Sequence, residues 1–94
     1  MNGTTVTFIL GDIVATPGAL QALEASGQLL LEFLGRHARG DWGDLCAEDR
    51  RENALALRAG HRLMSSYTLR NGQKLWIITE SDRSVTTLLL PHEY

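Results

Sequence analysis

Residues 63–91 read LMSSYTLRNGQKLWIITESDRSVTTLLLP, and this stretch decides the fold. Two apolar runs flank Asn71-Gly72, and both residues of that pair tolerate φ > 0, as a type I′ hairpin turn demands. With Asn71-Gly72 as a two-residue loop, Arg70 pairs with Gln73 and Tyr67 lies opposite Trp76. The same register sets Ser65 against Ile78 and Met64 against Thr79. An aromatic cross-strand pair contributes roughly 0.2–1 kcal/mol and helps fix the register. A second, charged turn, Glu80-Ser81-Asp82-Arg83-Ser84, leads into a strand over Val85–Leu90. Pro91 ends it, because proline has no N–H to give a ladder. Three consecutive strands in this order form an antiparallel meander.

Working outward, Thr4–Leu10 alternates threonine with bulky apolar residues and reads as a strand, with Val6, Phe8 and Leu10 on one face. Thr16-Pro17 then supplies an N-cap and an N1 proline for a helix reaching about Ser26, burying Leu20 and Leu23, with Gly27 at C′. A second helix covers Leu29–Arg39, where Leu30, Phe33, Leu34 and His37 keep the spacing of a buried stripe, and Gly40 closes it. After the tight loop Asp41–Asp44, a third helix runs over Ala47–Ala59. Glu48, Asp49 and Glu52 near its start and Arg58 near its end complement the helix dipole, and Gly60 stops it. The order is β-α-α-α-β-β-β. The fold class is therefore α+β: one domain over 1–94, an antiparallel sheet of three to four strands (the meander plus an N-terminal edge strand) and three helices on one face.

Composition narrows the function. The 94 residues carry 44% hydrophobic and 21% charged side chains, the balance of a soluble globular domain. A net charge of −2 opposes a basic nucleic-acid footprint, so direct nucleic-acid binding is not expected. Eight of the nine basic residues are arginine, which leaves room for local planar recognition of carboxylate or phosphate. Cys46 stands alone, so no intrachain disulfide forms and no thiolate cluster is expected. No basic-then-apolar leader and no run long enough for a membrane span appear, which makes a cytoplasmic protein the expectation.

Chemistry-bearing residues gather in two places. Glu80, Asp82 and Arg83 crowd one hairpin end: Glu80 or Asp82 could serve as general base or metal ligand with Arg83 holding an anion, or the group is a solvated turn. Around the second helix end, Arg36-His37-Ala38-Arg39-Gly40-Asp41-Trp42 suits the helix dipole. Trp42 folds back to cap the core, stands out beside Arg39 and Asp41 as a contact anchor for a protein, or stacks on a base. His37, His61 and His92 lack metal-ligand spacing, and no metal or other cofactor is expected. There is no P-loop, dinucleotide fingerprint or nucleophile elbow, and no catalytic residue is assigned.

Several stretches together carry a resemblance: Gly11-Asp12-Ile13-Val14-Ala15-Thr16-Pro17-Gly18-Ala19-Leu20, Glu32-Phe33-Leu34 with Arg36-His37 and Gly40-Asp41-Trp42-Gly43, Glu48-Asp49 with Glu52-Asn53, Gly60, Arg62-Leu63 and Ser66-Tyr67, then Leu75-Trp76-Ile77-Ile78-Thr79-Glu80, Asp82-Arg83-Ser84 and Thr86-Thr87-Leu88-Leu89-Leu90-Pro91. Over nearly the whole chain this resembles a family of small bacterial proteins carried on plasmids, prophages and other mobile elements. Some members are labelled type I restriction subunit M. These residues do not support that label, because a DNA methyltransferase needs a nucleoside-binding α/β domain more than twice this size. Gln28-Leu29 departs from the Ser-Pro-like helix start of the resemblance.

The resemblance implies a gene travelling near defence and anti-defence loci. The expectation is a non-enzymatic protein-binding accessory factor, in its most concrete form an inhibitor of a restriction or CRISPR-type system. Its contact residues would be Arg39, Asp41, Trp42, Asp82 and Arg83, and a bare apolar sheet face would add homodimerisation. The alternative classes are a small toxin-like ribonuclease or nucleic-acid-binding module, and a small enzyme built on Glu80, Asp82 and Arg83.

Overall fold

A computed structural model describes residues 8–94. Its elements run β1 (Asp12–Ala15), α1 (Pro17–Ser26), α2 (Leu30–Ala38), α3 (Ala47–Ala59), β2 (Leu63–Thr68), β3 (Lys74–Thr79) and β4 (Val85–Leu89), closed by a 3₁₀ turn over Pro91–Glu93. The order is the expected β-α-α-α-β-β-β. The strands form one sheet in the order β1-β4-β3-β2.

The sheet is mixed rather than antiparallel, because β1 pairs with β4 in parallel while β2, β3 and β4 form the antiparallel meander. The helices separating β1 from the meander return the chain to the same end of the sheet, and a parallel pair needs such a long connection. The first strand is Asp12–Ala15. Of the strand expected over Thr4–Leu10, residues 4–7 lie outside the described residues, and Phe8–Leu10 belong to no strand.

The hairpin register differs by one residue from the expectation. Tyr67 pairs with Leu75, and Trp76 faces Ser66. The loop has three residues: the Gly72 N–H donates to the Leu69 carbonyl at 2.9 Å and Leu69 donates to Gln73 at 2.8 Å. Only Gly72 takes positive φ, +89°, while Asn71 stays at negative φ and its side-chain oxygen accepts from the Gln73 N–H. This is a type I turn closed by a left-handed glycine bulge, the next hairpin solution after two-residue loops. A slip of one sends Tyr67 and Trp76 to opposite faces.

Tyr67 therefore enters the main core, with Phe33, Leu34, Leu69, Leu75, Ile77, Leu88 and Leu90, beneath Ala19, Ala22 and Leu23 of α1. Leu20, expected inside, is half exposed; the small side chains of Ala19 and Ala22 let α1 approach the sheet and turn Leu20 outward. Thr16 caps α1 as expected, accepting from the Ala19 N–H at 3.0 Å. A second cluster joins Ala56 of α3, Leu63 and Trp42, with Phe8, Leu45 and Leu57 against it.

The outer edge of β2 is closed. Asn53 of α3 donates to the Met64 carbonyl at 2.6 Å and accepts from the Met64 N–H at 3.3 Å. Ser66 donates to Trp42 and accepts from Asp44. Every outward main-chain group of those two residues is thereby paired, which stops the edge from recruiting another strand.

Candidate functional site: an aromatic cluster on the open sheet face

The five residues expected to contact a partner fall into two kinds of place. Trp42 is only 7% exposed. Its ring stacks on Phe8 at 6.1 Å and meets the edge of His37 at 5.6 Å. Arg83 has φ +60°, and its guanidinium donates to the carbonyls of His61 (2.6 Å), Glu80 (3.1 Å), Ser81 (3.3 Å) and Ala56 (3.2 Å). It thus ties the β3–β4 turn to the C-terminal end of α3, where a cation also suits the helix dipole. Phe8 lies between them, with Arg83 5.9 Å from its ring centroid. The charged turn and Trp42 are therefore neighbours, joined through the interior.

Arg39, Asp41 and Asp82 are exposed. Asp41 is held by Arg36 at 2.7 Å and by the Gly43 N–H, and the Arg36 hydrogen bond keeps its carboxyl below the ordinary range. Asp82 accepts from the Ser84 hydroxyl at 2.6 Å and the Ser84 N–H at 3.0 Å, and its pKa is lowered for that reason. A carboxylate made more acidic by a turn is a poorer general base at neutral pH.

Beneath the helices runs a buried polar relay. The His37 ring is fully enclosed, with Nδ1 2.5 Å from the Ser65 hydroxyl and Nε2 2.9 Å from Thr79. Thr79 lies 2.7 Å from Thr86, which donates to the Leu10 carbonyl at 2.7 Å. A carbonyl only accepts, so the direction of the whole chain follows. Thr86 gives its proton to Leu10, Thr79 gives its own to Thr86, and Thr79 must accept from His37 Nε2–H. Nδ1 then accepts from Ser65. His37 is thus the neutral Nε2–H tautomer, and burial pushes its pKa down to about 4. Ser65 and His37 have the spacing of a nucleophile and its base, yet both are 0% exposed and no substrate can reach them. The relay fastens α2 and the Leu10 segment to three strands.

The exposed cluster is on the other face. Trp76 alternates with the buried Leu75 and Ile77, so it points away from α1 and α2. The Tyr94 ring stands edge-on to it, centroids 5.8 Å apart. Arg62 lies 5.3 Å over the Tyr94 ring and donates to its hydroxyl. Tyr94 remains 65% exposed.

The 3₁₀ turn sets Tyr94 there. Glu93 accepts from the Thr16 hydroxyl at 2.6 Å and from the Leu90 N–H at 2.7 Å, which lowers its pKa and moors the segment to the start of α1. Two open hollows are also present: one of about 330 Å³ lined by Gln73, Lys74, Leu90, Pro91 and His92, and one of about 250 Å³ lined by Leu45, Asp49, Glu52, Asn53 and Met64. Among the described residues, no three His, Cys, Asp or Glu side chains gather as a metal would require. No helix among them is long and apolar enough to cross a membrane.

Sequence reasoning gave Arg62, Trp76 and Tyr94 no contact role. The one-residue register slip turned Trp76 toward Tyr67, and nothing in the sequence brings Tyr94 to residues 62 and 76. No family model matches the chain, and no curated protein or solved structure is similar to it.

Proposed function

We propose that the chain is a protein-binding accessory factor of a bacterial mobile element that acts by recognition rather than catalysis. In its most concrete form it inhibits a host nucleic-acid defence system of the restriction or CRISPR type. The observation that supports protein recognition is the Arg62–Tyr94–Trp76 cluster. Tryptophan, tyrosine and arginine are the residues that dominate binding energy in protein interfaces. Here they are stacked on a rigid sheet and already ordered, so little side-chain entropy is lost on binding. The mobile-element setting rests on the sequence resemblance alone.

A nucleic acid is a weaker occupant of the same face. Stacking platforms for bases are accompanied by a basic groove, whereas Asp49 and Glu52 line the hollow beside Met64 and the chain as a whole is acidic.

The test is capture of partners from a bacterial host by the wild-type chain and by Trp76→Ala, Tyr94→Ala, Arg39→Ala and Asp41→Ala. Recovery of a nuclease or surveillance complex, lost in the first two variants and kept in the last two, is the expected outcome. Loss in the last two alone relocates the site to the end of α2. Nucleic-acid binding that falls steeply with salt replaces the proposal with the alternative class.

A further inference from the structure

The two edges of the sheet are treated differently. The β2 edge is closed by Asn53, Trp42 and Asp44, whereas among the described residues no strand pairs with the outer side of β1. Asp12 and Thr16 donate inward to Ser84 and Leu88, which turns the N–H and C=O groups of Ile13 and Ala15 outward. The side chains around them are apolar on both faces: Ile13 is 43% and Val14 48% exposed. β1 carries no lysine, proline or bulge; what limits pairing at this edge is its four-residue length and the charge of Asp12.

We propose that β1 is the interface of a twofold homodimer, in which the β1 strands of two copies pair antiparallel and the two sheets become one of eight strands. The length of the edge selects this occupant. Outward pairing stops at Gly11, whose φ of +69° leaves the extended region, and at Pro17, which has no N–H. Only Ile13 and Ala15 have outward groups to offer, and β1 of a second copy presents the same short bare edge. A longer foreign strand would find nothing to pair with beyond them.

One register uses all of these groups. Ile13 exchanges both hydrogen bonds with Ala15 of the second copy, and Ala15 does the same with Ile13. Four bonds form, and Val14 meets its own counterpart on the twofold axis, at the close, non-hydrogen-bonded position. Asp12 then lies opposite Thr16, so the two Asp12 carboxylates are kept apart. Sliding by two residues to Ile13–Ile13 pairing would set Asp12 against Val14. The dimer is independent of what the open face binds, but it would place the two Trp76 residues on one continuous face, five strand spacings or about 24 Å apart across the strands and offset along them.

Sedimentation velocity or light scattering across a concentration series tests this. The wild-type chain is expected to rise toward twice its 10.4 kDa mass, and hydrogen exchange at the Ile13 and Ala15 amides to slow as concentration increases. Val14→Lys is expected to hold the single-chain mass, while Leu31→Lys, at a still more exposed apolar site on α2, still dimerises. A single-chain mass and unchanged exchange at every concentration overturn the proposal. So does a dimer that survives Val14→Lys, or protection of Ile13 and Ala15 that arises only with an added foreign strand. The exchange measurement needs no variant, so the proposal stays testable even where a substitution fails to fold.

Discussion

Thr86 fixes the direction of every proton in the buried relay, because the Leu10 carbonyl can only accept its hydroxyl. Thr79→Val keeps the shape but strands His37 Nε2–H in the core. It should cost about 1–3 kcal/mol, read from the urea midpoint. Thr87→Val, on the opposite face of β4, should stay within about 0.5 kcal/mol. The same ring makes stability depend on pH. His37 titrates near 6.5 when unfolded and at about 4 when folded, so the unfolded state binds more protons between those values. Stability is therefore complete above about pH 6.5 and falls by roughly 3 kcal/mol as pH drops to about 4. Exposed carboxylates such as Asp41 and Asp82 lose their stabilising partners only below that window. Urea melts at pH 7.5 and 5 should show the loss in the wild type, and His37→Phe should flatten it. The burial of His37 was legible, since it continues the stripe of Leu30, Phe33 and Leu34. Its partners were not: Ser65, Thr79 and Thr86 sit on three strands, and a buried threonine reads in sequence like any β-former.

Among the elements, the helices announced themselves through their ends. Thr16-Pro17 and the glycines at 27, 40 and 60 bound three segments whose extents agree with the structure to within a residue or so. The meander was legible for a similar reason, with Asn71-Gly72 marking a turn. Its register was not, because the same dipeptide also fits a three-residue loop in which glycine alone is left-handed. Both faces of β3 are apolar, with Trp76 and Ile78 on one and Leu75 and Ile77 on the other, so the alternation could not arbitrate. Gly72→Ala separates the two turns. In the observed loop a side chain must adopt φ +89°, and the substitution should cost about 1–2 kcal/mol. Asn71→Ala should cost less, because Asn71 keeps ordinary φ and loses only its side-chain bonds around Gln73. In a type I′ turn both positions would be left-handed and the two substitutions would cost about the same. Thermal midpoints of the two variants decide between them. β1 escaped notice because four residues carry little pattern, and its parallel partner lies some seventy residues away across every other element.

At the scale of the whole molecule, one side of the sheet is sealed by helices and the other is partly dressed by Pro91–Tyr94. One carboxylate moors that dressing to the start of α1. Glu93 accepts from Thr16, and Thr16 in turn caps α1, so the first helix and the open face share one mooring. Glu93 is exposed and Thr16 only partly buried, so the contact should add little to global stability. Its consequence is positional: with Glu93 in place, Tyr94 stands against Trp76 and under Arg62. Glu93→Ala should therefore leave the unfolding midpoint within about 0.5 kcal/mol of wild type. It should also release Tyr94, seen as a changed near-ultraviolet circular dichroism band and sharper Tyr94 ring resonances. If the open face recognises a partner through an ordered cluster, Glu93→Ala weakens capture nearly as much as Tyr94→Ala while the fold is intact. Full affinity in Glu93→Ala alongside loss in Trp76→Ala would mean that Trp76 alone is the anchor. Arg62 and Tyr94 would then serve only to shield it, and binding would begin by displacing the segment rather than by docking on it.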